Sequence, residues 1–267
     1  MRCWSKCRAK TMFPRMHVET AVASSAEVPP PWAARMNRMN TWLLYDLGGG
    51  PRPLKFAWLI DAQKGLTLPV LLGLMWYYAE KTAWATSRAA FVYTAMHGAY
   101  GLVWMLKAVA FPDPNWQVYI TLPSTVVVFV SLSLYWSIGW LLISGTSAPS
   151  YPLDERGWFC MCIVLCTLGV AIMLASDAQK FFTLRVRRGL ISDGMFRYVR
   201  HPNYLGEMLI YFALALMVWH WFPALLLACI WCGLFAVNMV MKEASMSRYP
   251  DWRAYKARTW WLLPGLF

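Results

Sequence analysis

Charge is scarce in this chain. Asp, Glu, Lys and Arg make up 14% of its 267 residues, against about 25% in a water-soluble domain. With 59% hydrophobic residues and a mean hydropathy of +0.40, that deficit excludes an ordinary soluble fold. A disulfide framework is also excluded. Of the seven cysteines, Cys160, Cys162, Cys166, Cys229 and Cys232 fall inside apolar stretches, where a thiol packs as a small hydrophobe. The C-x-x-C of Cys229 and Cys232 has no second pair or histidine near it, so zinc and dithiol chemistry are not expected. No metal-ligand cluster is present, no G-x-G-x-x-G follows a strand, and there is no Walker loop. Any nucleotide must therefore be held by helices and their connections. No basic folded domain is visible, so the net charge of +12 is not the footprint of a nucleic-acid binder.

What remains is apolar sequence of membrane-crossing length, which takes roughly 20 residues. Six stretches qualify or nearly do, near 64–80, 89–106, 118–143, 157–175, 204–220 and 222–241, the last two joined by the short turn "HWFP". The expected fold is an all-α, polytopic helical bundle of about six transmembrane helices. With six crossings, every Lys and Arg except Lys81, Arg88 and Arg156 falls on one side, and those three are offset by Glu80, Asp154 and Glu155. The positive-inside rule then makes both termini cytoplasmic. Residues 1–63 read as a flexible cytosolic tail followed by a linker and an interfacial segment. The rival for the start is an organelle transit peptide, since the first eighteen residues hold five cations and no acid. Residues 64–267 read as one membrane domain.

Polar residues inside the apolar stretches carry the chemical interest. Glu207 follows Pro202 by five positions, in about the second turn of the fifth span, where a helix N-terminus favours negative charge. Tyr204, Glu207 and Tyr211 are spaced i, i+3, i+7 and share a helix face. Either Glu207 is an interfacial acid paired with Arg197 or Arg200, or the three face a cavity and handle a proton. In the second span His97, Tyr100, Trp104 and Lys107 form another stripe, with Lys107 free to snorkel to the edge. His97 reads either as a hydrogen bond between helices or as a site residue. Gly98 and Gly101 beside it admit a neighbouring helix or a flat ligand. Between the fourth and fifth spans Lys180, Arg185, Arg187, Arg188, Arg197, Arg200 and His201 converge on a proline-started helix N-terminus, which suits an anion. Lipid headgroups are the simpler partner for such a run. The tail adds Arg248, Tyr249, Trp252, Tyr255 and Arg258, with rings that can stack on a flat group or mark the interface.

These residues carry a resemblance. "GMFRYVRHPNYLGEM" resembles the signature of the membrane superfamily that contains steroid 5α-reductases, sterol C14/C7 reductases and isoprenylcysteine carboxyl methyltransferases. The shared R-H-P-x-Y-x-G is Arg200, His201, Pro202, Tyr204 and Gly206. "DAQK", with Gln179 and Lys180, is similar to the N-x-Q-K of sterol reductases, and "HPNYLGE", with Asn203 and Glu207, leans the same way. The likeness covers about residues 175–267. It implies an NADPH site drawing on Gln179, Lys180, Arg200, His201, Asn203 and Tyr204, closed by the tail, with Glu207 in proton delivery. It implies an endoplasmic reticulum protein of lipid metabolism that reduces a C=C bond in a steroid-like or other lipid-soluble substrate. Its membrane-lipid setting carries no implied nucleic-acid partner. The proton donors are then Glu207 with Tyr204 or Tyr211, or His97 with Tyr100. The alternatives are an S-adenosylmethionine-dependent methyltransferase of a prenyl-cysteine or phospholipid, and a non-catalytic lipid-binding protein. The N-terminal half lacks a clear counterpart of the substrate-side Glu and Tyr of 5α-reductases, so steroid specificity does not carry over.

Overall fold

A computed structural model describes residues 26–266. The transit-peptide reading, most of the tail, Cys3 and Cys7 lie outside the described residues. The rest is a helical bundle. Its long elements are α2 (Phe56–Tyr78), α3 (Arg88–Ala110), α4 (Leu122–Ile143), α5 (Glu155–Val186) and α6 (Pro202–Val218), preceded by the short α1 (Pro31–Thr41). A last rod follows, in which α7 (Trp221–Ile230) continues through a π-helical turn at Trp231–Phe235 into α8 (Ala236–Met246). Among the described residues, α3, α4, α5 and the α7–α8 rod are long and apolar enough to cross a membrane. The apolar α6 has 17 residues, and α2, with 23, carries Gln63, Lys64 and Asp61.

Helix boundaries follow from local chemistry. The Ser87, Thr121 and Asp154 side chains accept from backbone amides three residues on, which starts α3, α4 and α5. Pro202 opens α6, and Trp219 in the left-handed conformation (φ 45°) closes it. The His220 ring then accepts from the Phe222 amide at 3.2 Å and starts α7, giving the expected tight hairpin.

Two boundaries correct the sequence reading. The strand pair β1 (Leu54–Lys55) and β2 (Tyr119–Ile120), with Phe56 N–H donating to the Val118 carbonyl at 2.9 Å, fixes the start of α2 at Phe56. Residues 56–63, after the Gly-rich linker, belong to α2 and form no helix of their own, and Lys64 lies about two turns inside that long helix. At the other end, α5 runs 32 residues, about 48 Å at 1.5 Å per residue. The first part of the expected 176–203 connection is thus helix, because nothing from Ser176 to Val186 breaks it. Residues 31–46 are also structured: α1 lies along α8, with Asn40 donating to the Gly233 carbonyl at 2.9 Å.

The helices cross on glycine. A Cβ on Gly206 would lie 2.7 Å from the Gly169 carbonyl, and one on Gly169 would lie 2.7 Å from the Gly206 carbonyl. The signature glycine is therefore where α6 meets α5. A Cβ on Gly101 would strike the Lys64 carbonyl, and one on Gly98 would lie 2.6 Å from Leu68. So the α3 glycines admit a helix, α2, and not a flat ligand. The starts of α2, α4 and α6 meet the ends of α3, α5 and α8 at one end of the bundle, called here the basic end.

Candidate functional site

The two sequence stripes join at Tyr211. Its ring lies 5.7 Å from that of Tyr100 and 6.3 Å from that of His97, and it stacks on Tyr135 of α4 at 4.1 Å. His97 Nδ1 is 3.1 Å from the Tyr93 hydroxyl, while its Nε2, fully buried, has no hydrogen-bond partner among the described residues. At the centre of this group is Lys64, which donates to the Tyr211 hydroxyl. Its ammonium lies 4.6 to 5.4 Å from the rings of Tyr100, Tyr211, Trp104 and Tyr135. Tyr204 shares the Tyr211 face of α6 but lies nearer its start and meets other partners, Phe235 at 5.0 Å and the Lys242 ammonium at 4.5 Å.

At the basic end a cavity of about 330 Å³ opens between the α3–α4 loop and the far part of α5, lined chiefly by Lys107, Asp113, Asp177, Lys180, Phe181 and Arg185. Lys107 does not snorkel to the edge. It is buried, pairs with Asp177, and sits 4.1 Å over the Trp104 ring. Lys180 reaches Asp113 at 3.5 Å, and the Arg185 guanidinium stacks on Phe181 at 4.0 Å. Burial pushes the Asp113 carboxyl up, but Lys180, the Asn115 amide, Lys242 and Lys107 together hold it below the usual carboxylate range.

Glu207 stands between the two groups. It interacts electrostatically with Lys107 and Asp177 on the cavity side and with Lys64 on the interior side, as well as with Lys242. It is half-buried. It pairs with neither Arg197 nor Arg200, so the interfacial ion-pair reading does not hold.

Those arginines act elsewhere. Arg200 Nε donates to Glu243 at 2.6 Å, and its Nη1 donates to the Thr259 carbonyl at 2.5 Å. Val199 and Trp260 form a bridge, and the Tyr255 hydroxyl donates to the Phe196 carbonyl at 2.8 Å. The connector before α6 and the C-terminal tail, with its short helix α9 (Trp252–Ala257), are thus fastened into one cap. Trp252 and Tyr255 are buried within it. His201 is buried 3.5 Å from Glu243. Gln179 holds the 193–195 turn through Asp193 and the Met195 amide. Asn203 is half-buried in the first turn of α6. Arg197, Arg248 and Arg258 are exposed, Arg248 donating to its neighbour Tyr249 at 3.1 Å. Of the expected cofactor residues only Lys180 and Arg185 line the cavity.

Sequence reasoning missed Lys64, Tyr135, Asp113 and Asp177. Lys64 passed as a topological cation at the mouth of a span, although Gln63, Lys64 and Thr67 together interrupt an apolar helix and could have been noticed. Tyr135 in "SLSLYWSIG" carries no signal of its own.

A family model described as protein of unknown function (DUF1295) matches residues 55–259, which takes in α2 through α9. No curated protein matches the chain.

Proposed function

The chain belongs to the DUF1295 family, and we propose that it is a membrane-embedded reductase that uses NADPH to saturate a C=C bond of a lipid-soluble substrate. In this reading α2 and α6 also span, giving six crossings with the basic end in the cytosol, in the endoplasmic reticulum membrane. What supports it is a cavity lined by paired cations and acids at the basic end, beside a buried cluster of phenols around Lys64, with Glu207 interacting electrostatically with charged groups of both. A hydride acceptor that also needs a proton requires both.

The donor set suits the coenzyme in part. Lys180 and Arg185 offer cations to phosphate, Phe181 offers a ring face, and a cavity of about 330 Å³ is at the small end of ligand sites, which run about 300–1,000 Å³. It would take one portion of a dinucleotide, with Lys180 and Arg185 holding a phosphate. When bound, NADPH supplies hydride. The chain's own residues supply the rest: Tyr211, held by Lys64, is the proton donor, and the packed rings around it exclude water. Glu207 returns the proton from the basic end. A positioned acid of this kind contributes about 10²–10⁴-fold.

Titrating the purified protein with NADPH tests this. Lys180→Ala with Arg185→Ala should weaken binding by about tenfold or more, the loss of one or two charge-assisted contacts, and Arg197→Ala should not. Unchanged affinity in the double variant, or no affinity in the wild type, overturns the reading. The cavity also pairs acids with cations, Asp113 with Lys180 and Asp177 with Lys107. That mixture suits the zwitterionic end of S-adenosylmethionine, so a methyltransferase is the second reading and the same titration decides. Binding of neither leaves a non-catalytic lipid binder.

A further inference from the structure

We propose that the outer face of α1 is a binding surface for anionic phospholipid headgroups in the leaflet at the basic end. The proposal does not depend on the reductase reading, and α1 precedes residues 55–259, which the family model matches. Three attachments set the position of this helix. Before it, the Glu27 amide donates at 2.6 Å to the side chain of Ser247, at the end of α8. Near its own end, Asn40 donates to the Gly233 carbonyl of the α7–α8 rod. After the π-helical turn Trp42–Asp46, the Leu47 amide donates at 3.0 Å to the side chain of Ser124, in the first turn of α4. The rod and α4 are both long and apolar enough to cross a membrane. A helix tied to the same end of each is held where hydrocarbon gives way to headgroups.

The inner side of α1 is used in packing, with Ala33 fully buried. The outer side is open. Trp32, Met39 and Trp42 are 55%, 51% and 53% exposed, and Arg35 and Arg38 between them are exposed too. Trp32, Arg35, Met39 and Trp42 follow i, i+3, i+7, i+10, a single helical stripe with Arg38 beside it. At 1.5 Å per residue, Arg38 and Arg35 stand about 6 and 10 Å nearer the Ser247 end than Trp42. Apolar groups deeper and guanidinium groups further out is the order that acyl chain and phosphate require. Lys55 repeats it at the start of α2, its ammonium 5.7 Å from the half-exposed rings of Trp58 and Tyr119. Charge then selects the lipid. Among the described residues, Arg35, Arg38 and Lys55 form no ion pair, and Asp46, which lies between them in sequence, is taken by Arg52. A zwitterionic headgroup brings its own cation beside each phosphate, whereas a net-negative one does not. A soluble acidic protein would have to displace the lipid that borders α4 and the rod.

Hydrogen exchange of the full-length protein in lipid nanodiscs reads this surface by position. Discs of phosphatidylcholine alone are compared with discs doped with phosphatidylserine. Opening of α1 must break its headgroup contacts, so amides of residues 31–46 should exchange about tenfold or more slowly in the doped discs, each arginine near an anionic surface being worth about fivefold. Arg35→Gln with Arg38→Gln should remove that difference. Arg35→Lys with Arg38→Lys, which keeps the charge, should retain it. Equal exchange of the wild type in the two kinds of disc overturns the proposal, as does an undiminished slowing in the glutamine variant. Loss of the slowing in the lysine variant as well would reveal a packing role and overturn the charge argument. Glycerophosphoserine added to neutral discs should change nothing, and slowing there would assign the face to a free phosphate instead of the leaflet. Slowing that follows the number of copies per disc and not phosphatidylserine would assign it to a second copy of the chain, and would overturn the proposal equally.

Discussion

Lys64 on α2 donates a hydrogen bond to the phenol of Tyr211 on α6, across 147 positions of sequence. This contact sits where α2, α3, α4 and α6 meet. It ties the helix that carries Asp61, Gln63 and Lys64 to the helix that carries the signature.

The pair should show strong coupling in stability. Tyr211→Phe leaves a buried ammonium without its acceptor and should cost about 1–3 kcal/mol. Lys64→Met removes a buried charge in favour of an apolar chain, a change that is often neutral or stabilising by about 1–4 kcal/mol. The double variant should then be no less stable than Lys64→Met alone. Thermal or denaturant unfolding of the four proteins in detergent gives the interaction energy, and simple additivity would remove the contact from the account.

Arg200 should behave as a fastener of the cap. It spans Glu243 of α8 and the Thr259 carbonyl of the tail, with its side chain 8% exposed. Arg200→Ala leaves Glu243 only Lys256 and His201, each at 3.5 Å, and should cost about 1–3 kcal/mol, the worth of hydrogen bonds to a charged group. Limited proteolysis should then cut first between Tyr249 and Trp260, before any helix. A cleavage pattern unchanged from the wild type would mean that the cap is held by Trp252 and Tyr255 alone.

How much of this could be read from sequence depends on whether the signal was local. The tight hairpin at "HWFP", the apolar stretches and the crowding of cations at one end were legible because each is local or additive along the chain. The polar stripes of α3 and α6 were legible from helical spacing, and the structure makes them one cluster. Lys64 was not, because helix α2 starts eight residues earlier than its hydropathy suggests, held there by a two-residue strand pair that no local pattern announces. The tail rings were read as free surfaces, yet Trp252 and Tyr255 are buried. Burial in a cap depends on a partner segment about 60 residues earlier, Phe196 to His201.

Glycine substitutions should separate packing from propensity. A Cβ on Gly206 would sit 2.5 Å from the Met173 amide nitrogen, backbone that cannot step aside, so Gly206→Ala should lose about 1–3 kcal/mol to overpacking. Gly233 has nothing within 4 Å of its Cβ position. Gly233→Ala should be neutral, or gain up to about 1 kcal/mol in helix propensity. Equal effects at the two sites would mean that α5 and α6 do not cross on glycine.

Stability should fall as the medium is acidified below the ordinary histidine range, and His201 should contribute to the fall. Burial lowers its pKa from the usual 6.5, and Lys242 and Arg200 add to that, while contact with Glu243 acts in the opposite sense. The unfolded chain takes up a proton near pH 6.5 that the folded one refuses. The unfolded state therefore binds more protons between that value and the lower folded one, and acid shifts the equilibrium toward unfolding through this window. Stability is fully present above it. His201→Gln carries no proton in either state, so its unfolding midpoint should decline less steeply between pH 7 and 5.5 than that of the wild type. Parallel declines in the two proteins would assign the acid response to another group and leave His201 as a packed, silent cap of α6.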